Sequence, residues 1–326
     1  MEPNQTPLLE SAIQSGMPRL LFAGSALVAA LFFVAVAESV PTFAPRTNPA
    51  PQTASVDVSD PIPKISQLAL QAKSAYVVDL STGEVLYSQH ANVQLPLASI
   101  TKIALVLAVS EVLDPNDSVR ISRDAITRGE GGGLGTGDLW RVQTLIDFTL
   151  VASSNAGAEA LAEAADAKLH EKYSDSPSEH ATIWRMNQLA KELGLNATYF
   201  LNPSGLDASV TQPGSMSSAH DVAALLERAA KSPHLFTATK EKGLALGPKN
   251  GVPKPVANTN EALPDIPDLV LGKTGYTDLA GGNLGIIFKA RTGHAIVAVV
   301  LGSTEEGRFS DMKKLVDSVG KSFLGG

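Results

Sequence analysis

The sequence predicts an α+β fold, an antiparallel sheet flanked by helices with an inserted helical block. Three observations lead there. Strand-like apolar runs stand at both ends of the folded region, helical patterns fill its middle, and an amphipathic helix closes the chain. Strands and helices segregated in this way favour one antiparallel sheet assembled from two distant segments over a series of βαβ units.

The N-terminal part precedes the fold. Leu20 to Ala37 is an uncharged run of 18 residues behind Arg19. That length is at the lower limit for a helix crossing a bilayer, and Ala35-Val36-Ala37 also fits a small-residue cleavage site. Residues 1–19 read as a cytoplasmic segment and 20–37 as a transmembrane anchor or a signal peptide. The anchor is favoured because Glu2 and Glu10 stand ahead of the run against a single Arg19. Residues 38–64, with Pro41, Pro45, Pro49, Pro51, Pro61 and Pro63, read as an extended tether. The expected folded domain is 65–326, held outside the cytoplasm at the membrane, or secreted if the leader is cleaved.

Within that domain, Ala75 to Leu80 and Glu84 to Tyr87 flank Ser81-Thr82-Gly83, a hairpin signal. Pro96 is expected to open an apolar helix that stops at Asp114-Pro115. Helices are expected over Gln143–Leu150, Ala156–Lys168, Ile183–Leu193 and Asp221–Lys231. Leu269 to Gly275, Asn283 to Ala290 and His294 to Gly302 read as three consecutive strands. Arg308 to Phe323 places Met312, Leu315, Val316, Val319 and Phe323 on one helical face.

Composition narrows the chemistry. The chain of 326 residues has no cysteine and a formal net charge of −7. Disulfides, thiolate catalysis and Cys-ligated zinc are therefore excluded. The acidic balance, without a basic stripe, argues against a nucleic-acid partner. His170-Glu171 lacks the second histidine of a zinc helix, so no metal is expected. The glycines from Gly129 to Gly137 make no G-x-G-x-x-G, so no dinucleotide or other cofactor is expected; they read as the rim of a cleft.

Chemistry points instead to Ser99 and Lys102. Residues three apart share a helix face, and a lysine at i+3 leans back over the serine. A serine hydroxyl needs an adjacent base to become a nucleophile. A lysine serves when burial and a helix N-terminus lower its pKa. Taken alone, the pair is equally compatible with a capping serine and a snorkelling lysine. Ser153-Ser154-Asn155 offers a second hydroxyl and an amide between two helices. Lys273-Thr274-Gly275 ends an apolar strand with a charge and a hydroxyl suited to a carboxylate. Each of these tripeptides alone is ordinary loop or turn chemistry.

The three together, in that order, are the S-x-x-K, S-x-N and K-T-G set of penicillin-binding proteins and class A β-lactamases. With Pro96-Leu-Ala-Ser-Ile-Thr-Lys102, Asn202-Pro-Ser-Gly-Leu-Asp207, Ser217-Ser-Ala-His-Asp-Val222 and Lys273-Thr-Gly-Tyr-Thr277, the chain resembles the serine D-alanyl-D-alanine carboxypeptidases, the low-molecular-weight penicillin-binding proteins. The resemblance runs from about Ala75 to the C-terminus. It implies a β-lactamase/DD-peptidase-like fold and a cell-wall enzyme removing terminal D-alanine from peptidoglycan stem peptides. β-Lactam antibiotics would be its inhibitors.

By that resemblance Ser99 is acylated, Lys102 is its base and Ser153 passes a proton to the leaving D-alanine. Asn155 positions substrate and lysine, Lys273 and Thr274 hold the terminal carboxylate, and Gly275 lets the ligand approach. The backbone N–H groups of Ser99 and Tyr276 form the oxyanion hole. One departure is Ala156-Gly157, where the family commonly has aspartate after the asparagine. The alternatives are a D,D-endopeptidase acting on cross-links and a class A-like β-lactamase. Glu192-Leu-Gly-Leu-Asn196 formally matches the lactamase E-x-x-L-N stretch but reads as a helix end with Gly194 as C-cap signal.

Overall fold

The computed structural model describes residues 64–323. The expected anchor, the tether up to Pro63 and the last three residues lie outside them. Among the described residues no helix is long and apolar enough to cross a membrane.

β1 (Ser74–Asp79) and β2 (Val85–Gln89) form the expected hairpin, with Gly83 at φ +76° in its turn. β3 (Leu95–Pro96) leads into a 3-10 turn, Ala98–Thr101, before α1 (Lys102–Val109). The apolar helix therefore starts at Lys102 and not at Pro96. Ala98 takes φ +50°, a left-handed conformation that an α-helix does not accept, and distant chain packs against it there.

The insert follows. β4 (Ser118–Arg120), α2 (Arg123–Arg128) and β5 (Leu139–Arg141) bracket the glycine-rich loop, with β4 and β5 paired. α3 (Val142–Val151), α4 (Asn155–Lys172) and α5 (Ala181–Glu192) are the expected helices. β6 (Tyr199–Phe200) and β7 (Ser215–Ser217) join β3 in a small sheet ordered β3-β7-β6. α6 (Ala219–Ala230) precedes a hairpin of β8 (Gly243–Leu246) and β9 (Lys254–Ala257). The insert is helical in bulk, but it carries short ribbons that the sequence does not announce. Strands of two to four residues are too short to show a period.

β10 (Leu269–Thr277), β11 (Gly281–Lys289), β12 (Ala295–Ser303) and α7 (Gly307–Ser322) close the chain. The main sheet runs β10-β11-β12-β1-β2, every neighbouring pair antiparallel. Both ends of the fold thus meet where β1 pairs β12, Ser74 opposite Leu301.

The sheet is covered on both faces, which explains why β12 reads as an unbroken apolar run. Val297, Val299 and Leu301 enter the core shared with α1 and α6. Ile296, Ala298 and Val300 enter a second core under Met312, Leu315, Val316 and Val319 of α7. This is the strand period of two, with a helix layer on each side. α6 comes close because Gly285 has no side chain: a Cβ there would lie 3.0 Å from Leu226.

Candidate active site

Ser99 stands in the 3-10 turn and Lys102 opens α1. Side chains three apart eclipse in 3-10 geometry, so the lysine is brought back onto the serine even more directly than in an α-helix. Lys102 Nζ donates to Ser99 Oγ at 2.7 Å, to Asn155 Oδ1 at 2.7 Å and to the Ser204 carbonyl at 2.8 Å. Three acceptors match the three protons of an ammonium. The residue is 0% exposed, inside a helix whose eight residues are all buried. Burial is the main reason its pKa lies well below the lysine range; the charge of Lys273 adds to this and Glu159 opposes it.

Two glycines let neighbouring chain reach this turn. Gly205, at φ +79°, would place a Cβ 2.0 Å from the Ala98 carbonyl. Its loop is held by Asn202, whose Oδ1 accepts from Gly205 N at 2.7 Å and whose Nδ2 donates to Leu206 O at 2.7 Å. From the other side, a Cβ on Gly275 would lie 2.7 Å from Leu97 O and 3.2 Å from Ser99 N. Strand β10 therefore runs directly against the serine turn.

The second motif sits at the α3–α4 junction. Ser154 caps α4, accepting from Gly157 N at 3.1 Å. Ser153 takes φ +57°, a strained conformation for a side-chain-bearing residue, and its Oγ meets Lys273 Nζ at 2.8 Å. Ala156-Gly157, the departure noted above, fits a tight junction. A Cβ on Gly129 would fall 2.2 Å from Ala156 N, and one on Gly157 would fall 2.3 Å from Thr149 Oγ1. The glycine-rich loop thus begins packed on the start of α4.

The third motif lies in the middle of β10. Lys273 is 2% exposed and also donates to the Thr274 carbonyl at 3.0 Å. Burial first, then the Arg308 charge, brings its pKa down to about 7. Thr274 Oγ1 lies 2.6 Å from Thr259 Oγ1. Tyr276 is 44% exposed at the edge, its ring centroid 5.8 Å from the Arg308 guanidinium.

The structure thus brings Ser99, Lys102, Ser153, Asn155, Lys273, Thr274, Gly275 and Tyr276 into one cleft. Four neighbours escape a reading of the sequence. Ser204 contributes a backbone carbonyl, Thr259 a hydroxyl from the insert, and Glu159 a carboxylate one turn beyond Asn155. Arg308 Nη1 donates to Gly275 O at 3.0 Å while its Nε has no partner. The only available signals were Ser204 inside the Asn202–Asp207 stretch and Arg308 on the polar face of the closing helix.

Glu192 lies elsewhere. Its carboxylate holds Arg185 through contacts of 2.6 and 3.0 Å, and Arg185 in turn binds Glu111 beyond the far end of α1. At 1.5 Å per residue that end is roughly 15–20 Å from Ser99.

Residues 62–305 match the family model of the D-alanyl-D-alanine carboxypeptidases. The chain belongs to this family. It is 34% identical over 264 residues to a D-alanyl-D-alanine carboxypeptidase of Bacillus subtilis, a match covering 78% of this chain and 63% of that protein. It is 31% identical to one of Mycobacterium tuberculosis, covering 72% of this chain and 77% of the relative. Among solved structures it is similar to a penicillin-binding protein of Listeria monocytogenes in its ampicillin-bound form. That match has a TM-score of 0.64 and 27% identity, and covers 79% of this chain and 99% of the other. The α+β architecture is that of the D-alanyl-D-alanine carboxypeptidases and penicillin-binding proteins, as the three motifs imply.

Proposed function

We infer that the protein is a serine D,D-carboxypeptidase that removes the terminal D-alanine from peptidoglycan stem peptides through a Ser99 acyl-enzyme. The observation that carries the reading is the 2.7 Å contact between Ser99 Oγ and a fully buried Lys102 Nζ. With its pKa driven down by burial, Lys102 is available as a neutral amine. The contact then reverses: the hydroxyl donates, and its proton moves to Nζ as Oγ attacks the carbonyl carbon of the penultimate D-alanine.

Collapse of the tetrahedral intermediate expels D-alanine, whose amine takes a proton from Ser153 Oγ, in contact with Lys273, while the proton that Lys102 took from Ser99 restores the Ser153 hydroxyl. Lys273 and Thr274 bind the terminal carboxylate, and Asn155 orients Lys102. The backbone N–H groups of Ser99 and Tyr276 receive the oxyanion. Water completes hydrolysis and returns Ser99. A β-lactam carries a strained amide and a carboxylate, and enters the same way.

The same reading extends to place. Residues 20–37 anchor the chain in the cell membrane and the catalytic region faces the cell wall. Fractionation of cells and protease access from the outside test this; a soluble cytoplasmic protein would refute it.

For the chemistry, the full-length protein is incubated with a labelled penicillin and digested. A single adduct on Ser99, and release of D-alanine from a pentapeptide ending in D-Ala-D-Ala, are expected. No adduct on Ser99 sinks the mechanism. Glu192→Ala is expected to leave penicillin turnover unchanged; its loss would favour a β-lactamase.

A further inference from the structure

Glu159 is a carboxylate in an expensive place. It sits on α4 one turn past Asn155, on the same face, and is 7% exposed. Buried carboxylates are rare unless paired. Its partner is Arg128 at the end of α2, whose Nε lies 3.0 Å from Glu159 Oε2. Arg128 also contacts Glu163, which accepts from Ser122 Oγ at 2.7 Å. The clamp is thus built from two helices and the cap of one of them.

The clamp stands behind the serine–lysine pair. A cavity of about 480 Å³ is lined by Arg128, Glu159, Glu163 and Ser204 among others. Ser204 is the residue whose carbonyl receives Lys102 Nζ at 2.8 Å, and Asn155, one turn from Glu159, receives it at 2.7 Å. The carboxylate thus lies one helical turn from one support of the base and shares a cavity with the other.

We propose that Glu159, clamped by Arg128, is a positioning residue that serves as the counter-charge of Lys102 and sets the pH at which the lysine takes the proton of Ser99.

The charges around Lys102 leave this role to Glu159. From β10, Lys273 faces it with a like charge, backed by Arg308 from α7. From the turn and α4 come the neutral Ser99 and Asn155. From α5, Arg185 is occupied with Glu111 and Glu192 at the far end of α1. Burial raises the pKa of Glu159 itself and Glu163 from α4 adds to this, while Arg128 from α2 opposes both and supports the charged form. Glu130, Asp166, His180 and Asp207 line the same cavity on its outer side. Burial and Lys273 both drive Lys102 toward the neutral amine; the Glu159 carboxylate pulls the other way. Without it Lys102 would lose its proton at lower pH, and the more weakly basic amine would hold the proton of Ser99 less firmly once it had taken it.

The proposal rests on Lys102 being the base, and the test separates the two. Second-order acylation by a fluorescent penicillin is measured from pH 5 to 10 on the full-length protein and on Glu159→Gln. In the unaltered protein the rate should rise with pH as Lys102 loses its proton. In Glu159→Gln that rise should move to lower pH by roughly one unit, with the plateau changed less than the midpoint. Glu159→Asp, which restores the charge, should return the midpoint toward its original value.

Coincident profiles for the unaltered protein and Glu159→Gln overturn the proposal. A plateau lowered without a shift also overturns it, because that is what a merely structural role produces. Absence of acylation in the unaltered protein removes the base reading and the proposal together. If thermal melting shows that Glu159→Gln does not fold, Glu159→Met, which removes the charge without burying an amide, should shift the profile in the same direction; an unshifted profile is again decisive against it.

Discussion

Lys273 carries a pH dependence that can be read apart from the reaction. Burial and Arg308 bring its pKa to about 7, against 10.5 for an unperturbed lysine. Below about pH 7 the folded and unfolded chains both hold the proton, and the buried charge weighs fully against folding. Between pH 7 and about 10 the unfolded chain holds the proton more firmly, so stability rises with pH in that window. Melting temperatures of the protein compared with Lys273→Met should diverge in this sense, the slope being reduced in the variant to what Lys102 contributes. A peptide carboxylate pairs only with the charged lysine, so KM for a D-Ala-D-Ala peptide should climb above pH 7. In Lys273→Arg, whose charge persists, that climb should disappear, and a KM that still rose would remove the assignment of Lys273 to the carboxylate.

At the scale of elements, the active site is a meeting of ends. A 3-10 turn with the first residue of α1, a helix junction and a loop each supply one or two groups, and the middle of a strand supplies four. Glycines set how near they come. Gly205→Ala would force a Cβ onto the Ala98 carbonyl at a backbone angle that suits glycine. The strain is worth about 1–3 kcal/mol, and the Ser99 turn must shift to relieve it. The expected outcome is a lower melting temperature together with acylation slowed by more than tenfold at a temperature where the variant is folded. Unchanged acylation would mean that the Asn202–Asp207 loop does not position Ser99. The same loop reaches the far strand turn, where Asp207 accepts from Thr277 Oγ1 at 3.0 Å and Leu279 N at 3.2 Å.

At the scale of the whole molecule, closure depends on joining segments far apart in sequence. Asp311, fully buried on α7, accepts from Gln71 N at 3.0 Å, Ala72 N at 2.9 Å and Ser303 Oγ at 2.8 Å. Asp311→Ala leaves three donors short, and a loss of about 3 kcal/mol or more is expected in denaturant midpoints. A loss under about 1 kcal/mol would show that water replaces the carboxylate easily.

What the sequence determined by itself was local or repeated. The β1–β2 hairpin, four helices of the insert, three closing strands and the α7 stripe all follow from periods and turn residues. Seven of the eight proposed site residues lie in three short motifs whose combination is specific, and Tyr276 follows the third. Tertiary structure alone decided the rest. Ala98 takes a left-handed angle because Gly205 and Gly275 bring chain to within contact of it, and that displaces the start of α1. Thr259 and Arg308 reach the cleft, and Glu159 the cavity beside Ser204, from elements with no periodic mark of function. Lys102 could be read as a base, but its buried state depends on a strand, a loop and two helices closing around it. Proximity of that kind is set by packing between distant segments, and a pattern within one segment does not encode it.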